Sequence, residues 1–125
     1  MTKLVTPMKR DMNLIRAVLI EAEKLPDDDA MHDISVEGFT DAEISNHVRL
    51  CDEAGFVDAY DLSTLDGVCW KPIRLTYEGH EFLDGIRSDT VWEKAKALTL
   101  KSTGTLTVEG LKFALPHVLK ALIGA

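Results

Sequence analysis

Two side chains of the kind that bind transition metals lie one helical turn apart in this sequence. His47 and Cys51 are four residues apart, so on a helix they face the same way, a spacing often used by metal ligands. Further ligands could come from Cys69, His80 or Asp84. The helix also needs an inward-facing stripe, which a buried histidine and cysteine can form. We therefore expect His47 and Cys51 to be core residues, and we predict no metal and no cofactor.

A second pair with the same spacing, His80 and Asp84, has the residue types of a general base and a carboxylate that orients it. Such a base needs a nucleophile, and no serine or cysteine with a supporting motif accompanies it. The sequence also contains no phosphate-cradling glycine-rich loop and no GxSxG motif. We predict that the pair makes a structural hydrogen bond that ties the third helix to the ribbon or to the first helix, and that the chain is not an enzyme.

Charge is unevenly distributed along the 125 residues, whose formal net charge is −7. Between positions 25 and 70, twelve acidic residues accompany a single base, Arg49, whereas the rest of the chain has nine acids and thirteen bases. The acids could form a solvated face that favours solubility, or a surface that binds a basic groove. The aspartates at 27–29 are expected to form a solvated turn, because the other ligands of a calcium loop are missing.

Composition is typical of one globular domain, with 46% hydrophobic and 28% charged residues. The two cysteines have no CxxC spacing, which favours reduced thiols in the cytoplasm. The first residues contain no apolar core of signal-peptide length, so secretion is not expected. Because charges interrupt every long apolar run, we also expect no membrane-spanning segment.

Apolar residues at helical spacing predict five helical segments. Their ranges are about 8–25, 40–54, 77–87, 91–100 and 106–123, after a frayed arm at 1–7. Thr40 and Glu43 have the spacing of a capping box, and Gly55 follows as a helix stop. Pro116 should kink the last segment or begin a separate helix.

Three short strands are predicted from alternating or β-branched runs, at 33–37, 56–61 and 68–75. The last two flank an Asp66-Gly67 turn and should form a ribbon. Because Pro72 has no N–H to donate, the strand that contains it must lie at an edge or bulge there. Trp70 and Trp92 are expected to fill the core.

Three stretches, at 8–12, 47–57 and 74–84, resemble domain-of-unknown-function family 2513. The string LTYEGHEFLD within the third stretch is the most specific part, and the resemblance extends over roughly residues 8–120. It implies a small protein of phages, prophages or bacteria. The family has no assigned chemistry, so the resemblance identifies no catalytic residue.

The order helix, Ala-Gly, ribbon and Leu-Thr-x-x-Gly is also similar to winged-helix transcription regulators. In those proteins the helix at 40–54 would be the recognition helix and residues 61–68 the wing tip. Here about fifteen residues separate the first two helices, so the usual intervening helix is shortened or lost. We predict an α+β fold with a winged helix-turn-helix-like domain at 8–88, bearing a two- or three-stranded β-ribbon wing, and a C-terminal helical extension at 89–125.

The presumptive recognition helix exposes four acids and one base, which should repel a DNA duplex. We therefore predict a surface for a protein partner, such as a host nucleic-acid-binding complex with a basic groove. The chain would be a non-enzymatic module of phage type, for example an anti-defence (anti-CRISPR-like) inhibitor. The alternative is a DNA-binding winged-helix transcriptional regulator, as a monomer or a dimer, whose Asn46 and Arg49 contact base edges. The predicted surface comprises Asp41, Glu43, Asn46, Arg49, Asp52, Glu53, Asp61 and Asp66.

The last helical segment has a broader apolar face than a short amphipathic helix needs. It should either fold back on the first and fourth helices or pair with a second copy or a partner groove. Among intermolecular arrangements, a homodimer is favoured. The residues predicted for this pairing are Leu111, Leu115, Val118, Leu119 and Leu122.

Overall fold

In the computed structural model, which describes residues 7–124, five helices and a two-stranded antiparallel sheet form an α+β fold. The predicted fold class is confirmed at this level, and the order of elements up to Ile86 is compatible with a winged-helix-like layout. Residues 1–6 of the predicted arm at 1–7 lie outside the described residues. The elements are α1 (Met12–Glu23), α2 (Asp41–Glu53), β1 (Val57–Asp61), β2 (Trp70–Leu75), α3 (Tyr77–Ile86), α4 (Asp89–Thr103) and α5 (Val108–Ile123).

The chain separates into two compact units, and α3 contains the boundary, with His80 ending the first unit and Glu81 beginning the second. The boundary predicted from sequence, between positions 88 and 89, follows a different criterion, the end of the winged-helix pattern, and stays a prediction. In the first unit α1 and α2 pack on each other and on β2. Its core includes Leu14, Val18, Leu19, Val48 and Cys51, all fully buried.

Side-chain caps determine where α1 and α2 begin. The carboxylate of Asp11 accepts the backbone N–H of Asn13 at 2.8 Å, so α1 starts four residues later than predicted. The predicted capping box of α2 is confirmed, because Thr40 Oγ1 accepts from Glu43 N–H at 3.2 Å and Glu43 Oε1 accepts from Thr40 N–H at 3.0 Å. The chain leaves α2 through Gly55 at φ 81°.

The ribbon contains the irregularity that the proline predicts. Asp58 pairs with Arg74 but Ala59 pairs with Pro72, so the register shifts and the extra residue, Ile73, bulges. The predicted strand at 33–37 is wrong: these residues have no strand assignment. The backbone N–H of His32 does donate to the Pro72 carbonyl at 3.0 Å, but Pro72 has no N–H to return the bond, so no ladder begins there.

The second unit is built on α4 and α5. Ser88 caps α4, which is longer than predicted and ends at Gly104 in the left-handed region, so residues 102 and 103 are helical and not a linker. Of the two outcomes predicted for Pro116, the start of a separate helix is wrong, because the residue lies inside a single helix, α5. The kink stays a prediction. Pro116 is exposed, while Leu115 and Val118 on either side of it are buried. Burial of this stripe offsets the usual cost of about 3 kcal/mol for an interior proline.

Candidate functional site

The helix predicted to face a partner, α2, presents its acidic residues from a firmly held element. Asp41 and Glu43 are exposed in its first turn, where the partial positive charge of the helix N-terminus favours carboxylates. Ser45, one turn after Asp41, is buried and accepts the backbone N–H of Trp70 at 3.2 Å. This bond ties α2 to β2 and fixes the direction in which the acids point.

The polar residues farther along α2 are engaged within the protein. Asn46 donates to the Ala42 carbonyl at 3.0 Å, as a side chain folded back on its own helix. The guanidinium of Arg49 pairs with Glu53 at 3.0 Å. Asn46 and Arg49, the two residues that could read bases, are therefore both held by neighbours on α2.

Asp52, also part of the predicted surface, has a structural role that the sequence did not reveal. Its Oδ2 accepts the backbone N–H of Ala59 at 3.0 Å. Ala59 lies at the register shift of the ribbon, where ladder bonding is interrupted. The carboxylate therefore satisfies a strand N–H and joins α2 to β1.

The ribbon tip carries the remaining predicted residues, Asp61 and Asp66, both exposed. Reciprocal bonds between Thr64 and Gly67 close a two-residue turn, whose central residues are Leu65 and Asp66 and not the Asp-Gly pair expected from sequence. Hydrogen bonds from Ser63 lower the pKa of Asp61. Leu65, at the tip, is a fully exposed apolar residue, which the charge pattern could not have indicated.

The basic residues of β2 do not join Arg49 in a positive cleft. The ammonium of Lys71 contacts the Asp33 carboxylate, and Arg74 contacts both Asp29 and Asp58. These ion pairs take up cations that a nucleic-acid surface would present to phosphates. The hydrogen bond from Lys71 lowers the pKa of Asp33, and the same contact raises the pKa of Lys71.

His47 and Cys51 are both buried, as expected of core residues. His47 Nε2 accepts the backbone N–H of Asp11 at 2.8 Å, so Nδ1 carries the proton and donates to the Glu43 carbonyl at 2.8 Å. Nε2 therefore joins α2 to the residue that caps α1, whereas Nδ1 is bonded within α2. Burial raises the pKa of the Cys51 thiol to about 12. Among the residues that the structure describes, no three His, Cys, Asp or Glu side chains are grouped so as to hold a metal.

His80 and Asp84 are both exposed on α3, and Asp84 accepts from Arg87 at 2.7 Å. His80 lines a small cavity of about 200 Å³ together with Leu25, Pro26 and Arg74. Arg87 directly follows α3, so this ion pair is local, and the predicted bond from His80 or Asp84 to the ribbon or to α1 stays a prediction. Of the two tryptophans expected in the core, Trp92 is buried, whereas Trp70 is half-buried.

The string LTYEGHEFLD begins with a close junction between the end of α2 and the start of α3. Thr76 donates its N–H to the Phe56 carbonyl at 2.9 Å and its hydroxyl to the Gly55 carbonyl, and it accepts Gly79 N–H at 3.1 Å. A Cβ on Gly79 would lie 1.9 Å from the Phe56 carbonyl oxygen. These contacts give Thr76 and Gly79 of the motif a role in packing α3 against the end of α2.

The five residues predicted on α5 separate into two groups. Leu111, Leu115 and Val118 are buried, so they are not available to a partner, whereas Leu119 and Leu122 are 39% and 44% exposed. Phe113 and Ile123, at 78% and 81%, enlarge the exposed apolar area of this helix. Sequence spacing placed Phe113 on a wider version of the inward face, although its side chain is directed to solvent.

A search of the described residues finds no helix with the length and apolar character that crossing a membrane requires. Comparison with known proteins gives two matches. The model of a family described as "Hypothetical protein (DUF2513)" matches residues 9–107. An uncharacterized protein of Haemophilus influenzae is 33% identical over 119 residues, which cover 93% of this chain and 99% of that protein. No solved structure matches the chain.

Proposed function

The chain belongs to the DUF2513 family, and on that basis we propose that it is a non-enzymatic module that binds a basic protein partner through its acidic face. The acidic face is the set of Asp41, Glu43, Asn46, Arg49, Asp52, Glu53, Asp61 and Asp66. The partner is a host or phage protein that handles nucleic acid, and the module acts as an inhibitor that covers its basic groove. An anti-defence role, such as inhibition of a CRISPR complex, is the most specific form of this proposal.

The observation that carries the proposal is that the cations nearest the acidic face are already paired. Arg49 is held by Glu53, Lys71 by Asp33, and Arg74 by Asp29 and Asp58. Up to position 80 the sequence has sixteen acids and eight bases. The field of such a surface attracts a basic groove and repels a phosphate backbone.

Magnitudes favour the same choice. Non-specific DNA affinity comes from lysines and arginines that release counterions from phosphates. A good base contact adds about 1–3 kcal/mol, and Arg49 would first have to leave Glu53, an exposed pair typically worth about 0.2–1 kcal/mol. One base contact would therefore gain more free energy than breaking the Arg49–Glu53 pair costs. The acidic face does not, however, present the phosphate contacts that normally accompany a base contact.

The second candidate is a dimeric DNA-binding regulator with a winged-helix fold. The order of α2, ribbon and α3 favours it, as does the position of Asn46 and Arg49 on the would-be recognition helix. In this version Arg49 exchanges Glu53 for a base edge on binding. Affinity for duplex DNA that depends on Arg49 is the distinguishing property.

Either function can use a dimer formed through α5. Leu119, Leu122, Phe113 and Ile123 are exposed apolar residues on one short helix, which is a feature of surfaces that associate. We expect sedimentation to show a concentration-dependent dimer that Leu119→Lys with Ile123→Lys converts to a monomer. Glu81→Lys with Glu109→Lys, which adds charge elsewhere in the same unit, is the control. A wild-type monomer at all concentrations would contradict the dimer.

The partner proposal is tested by capture with matched charge variants. Asp41→Asn, Glu43→Gln and Asp66→Asn together remove three acids from the acidic face, and Gln at 43 preserves the capping box. Glu78→Gln, Glu81→Gln and Glu109→Gln remove three exposed acids elsewhere. We expect a nucleic-acid-binding protein of the native host to be retained by the wild type and the control, released by salt, and lost with the acidic-face variant. Equal retention by both variants would refute the proposal.

A further inference from the structure

A cavity of about 470 Å³ lies in the first unit, bounded by residues 32–35, the first turns of α2 and the chain that enters β2. Its size is within the range of cavities that hold small ligands or single side chains. Its apolar lining includes Ile34, Ile44 and the half-buried indole of Trp70. The cavity exists because residues 32–35 lie beside β2 without forming a strand. The backbone N–H of His32 donates to the Pro72 carbonyl and helps to hold them there.

Two acidic residues from different elements line this cavity, Asp33 from the segment at 32–35 and Asp41 from α2. Lys71 is the ammonium in the lining and contacts Asp33. His32 also lines the cavity, and its Nε2 lies 2.8 Å from Asp28 outside it. The two aspartates outnumber the one ammonium of the lining and lie beside an aromatic and aliphatic surface.

We propose that this cavity accepts one arginine side chain of the basic partner, with its guanidinium between Asp33 and Asp41 and its aliphatic stem against Ile44 and Trp70. This inference rests on the proposed function and specifies where the partner is anchored. Arginine fits both parts of the lining, because its planar fork pairs with carboxylates and its face stacks on aromatic rings. Arginine is also among the residues most often found as anchors at the centre of interfaces.

Other occupants fit less well. A phosphate or carboxylate would add negative charge beside Asp33 and Asp41. A purely apolar anchor would remove water from those carboxylates without replacing its hydrogen bonds. A lysine would bring a compact, strongly hydrated ammonium, a group that Lys71 already supplies to Asp33. A guanidinium has enough donors to contact both carboxylates at once.

The chain contains its own reporter of occupancy. Cys69 lines the cavity and is half-buried, whereas Cys51, the other cysteine, is buried in the core with a pKa raised to about 12. A neutral maleimide should therefore label Cys69 much faster than Cys51 in the folded protein. An occupant beside Trp70 should slow the labelling of Cys69. The indole N–H NMR signal of Trp70 gives a second, independent readout.

The probe is N-acetyl-arginine amide at millimolar concentrations and constant ionic strength. N-acetyl-citrulline amide, which has nearly the same shape without the charge, is the matched control. We expect the arginine compound to slow Cys69 labelling saturably and to shift the Trp70 signal, and the citrulline compound to do neither. Equal effects of the two compounds, or no effect of the arginine compound on either readout, would overturn the proposal.

Substitution of each aspartate tests whether its carboxylate binds the guanidinium. Asp33→Asn and Asp41→Asn should each weaken the effect of the arginine compound by about threefold, within the range expected for one exposed ion pair. Glu78→Gln, an exposed acid outside the cavity lining, should leave it unchanged. An effect of undiminished strength in both aspartate variants contradicts the assignment.

The outcome is separable from that of the capture experiment. If the arginine compound fails here but capture still depends on the acidic face, the cavity is not the anchor and the proposed function stands. If the compound binds the cavity but no partner depends on the acidic face, the proposed function fails and the arginine site stands. Asp33 is not part of the acidic face, so Asp33→Asn tests the cavity by itself.

Discussion

The two units of the chain differ in how they are held together and in what they expose. Up to position 80 there are sixteen acids and eight bases, and from position 81 there are five acids and six bases. The acidic unit is pinned by side-chain bonds to distant backbone, such as His47 to Asp11 and Ser45 to Trp70. The second unit brings α5 to α4 at a glycine, where a Cβ on Gly110 would lie 2.7 Å from Thr99 Cγ2, and it exposes apolar residues on α5.

This difference teaches that the more highly charged unit is the one held by directional bonds between distant segments. A surface made of like charges repels itself, so its supporting elements need specific, directional contacts to keep one arrangement. His47, Ser45 and Asp52 provide such contacts beneath α2. A nearly neutral unit has no such requirement, and close packing of small residues suffices. The following predictions test this comparison, from the largest expected effect to the smallest.

The largest effect is expected at Gly79, on the acidic side of α3. Gly79→Ala places a methyl group 1.9 Å from the Phe56 carbonyl oxygen, which is backbone and cannot move aside easily. We expect a loss of about 3 kcal/mol or more in the free energy of unfolding, measured by urea denaturation. Gly85→Ala, two turns away on the same helix, meets only Leu115 Cδ1 at 3.4 Å. It should cost less than about 1 kcal/mol because alanine favours a helix. Similar losses in the free energy of unfolding for the two variants would contradict the close approach of Gly79 to the Phe56 carbonyl.

A smaller but clear loss is expected at His47. In His47→Leu the backbone N–H of Asp11 loses its acceptor, and an unsatisfied donor of this kind costs about 1–3 kcal/mol. His80→Leu, which changes an exposed histidine, should stay within about 0.5 kcal/mol of the wild type. Urea unfolding monitored by circular dichroism measures both. A His47→Leu protein as stable as the His80→Leu protein would show that the acidic unit is not pinned by this bond.

The second unit should respond to volume and not to hydrogen bonding. Gly110→Ala brings its methyl group against Thr99 Cγ2, with an expected loss of about 1–2 kcal/mol. Thr99→Ser removes that methyl while keeping the hydroxyl that donates to the Ala95 carbonyl at 2.7 Å. The double variant should therefore recover part of the loss, measured as a coupling energy in a double-mutant cycle. Strict additivity of the two changes would contradict the close approach.

The smallest effect concerns pH. The folded-state pKa of Asp33 is lowered by Lys71, so the folded protein binds its proton less readily than the unfolded chain does. The contribution of the pair to stability is present above the unfolded-state pKa and is lost as pH falls through the folded-state pKa. The difference in urea midpoint between the wild type and Asp33→Asn should therefore shrink from pH 7 towards acid. Glu78→Gln, which removes an exposed acid, should show no comparable change, and a constant Asp33 difference would contradict the ion pair.

Local signals in the sequence were sufficient for much of the fold. The capping box at Thr40 and the stop at Gly55 depend on residues within four positions, so the bounds of α2 could be predicted. The strand at 33–37 could not, because alternation shows that a segment suits a sheet but not whether its neighbour can pair, and the neighbour is Pro72. Pro116 continues a helix because burial of Leu115 and Val118 outweighs its local preference.

The sequence predicted that the candidate site is negatively charged, but not which residues contact one another within it. A count of charges identifies an acidic surface, yet the partners of Lys71 and Arg74 lie between 16 and 45 residues away in sequence. Nothing local in the sequence indicates which carboxylates they contact. The cavity beside Trp70 depends on the same long-range register. The sequence assigned Asp52 to a binding surface. Its structural bond to Ala59 depends on the register shift of the ribbon, which the sequence does not show.

The most direct test of the central claim compares two ligands under one condition. Fluorescence anisotropy at low salt measures binding of the wild type to a labelled arginine-rich peptide and to a labelled DNA duplex. The account predicts that the peptide binds, that its binding weakens in the variant lacking three acids of the acidic face, and that the duplex does not bind. Binding of the duplex that weakens with salt and with Arg49→Ala would contradict the account and favour the DNA-binding regulator.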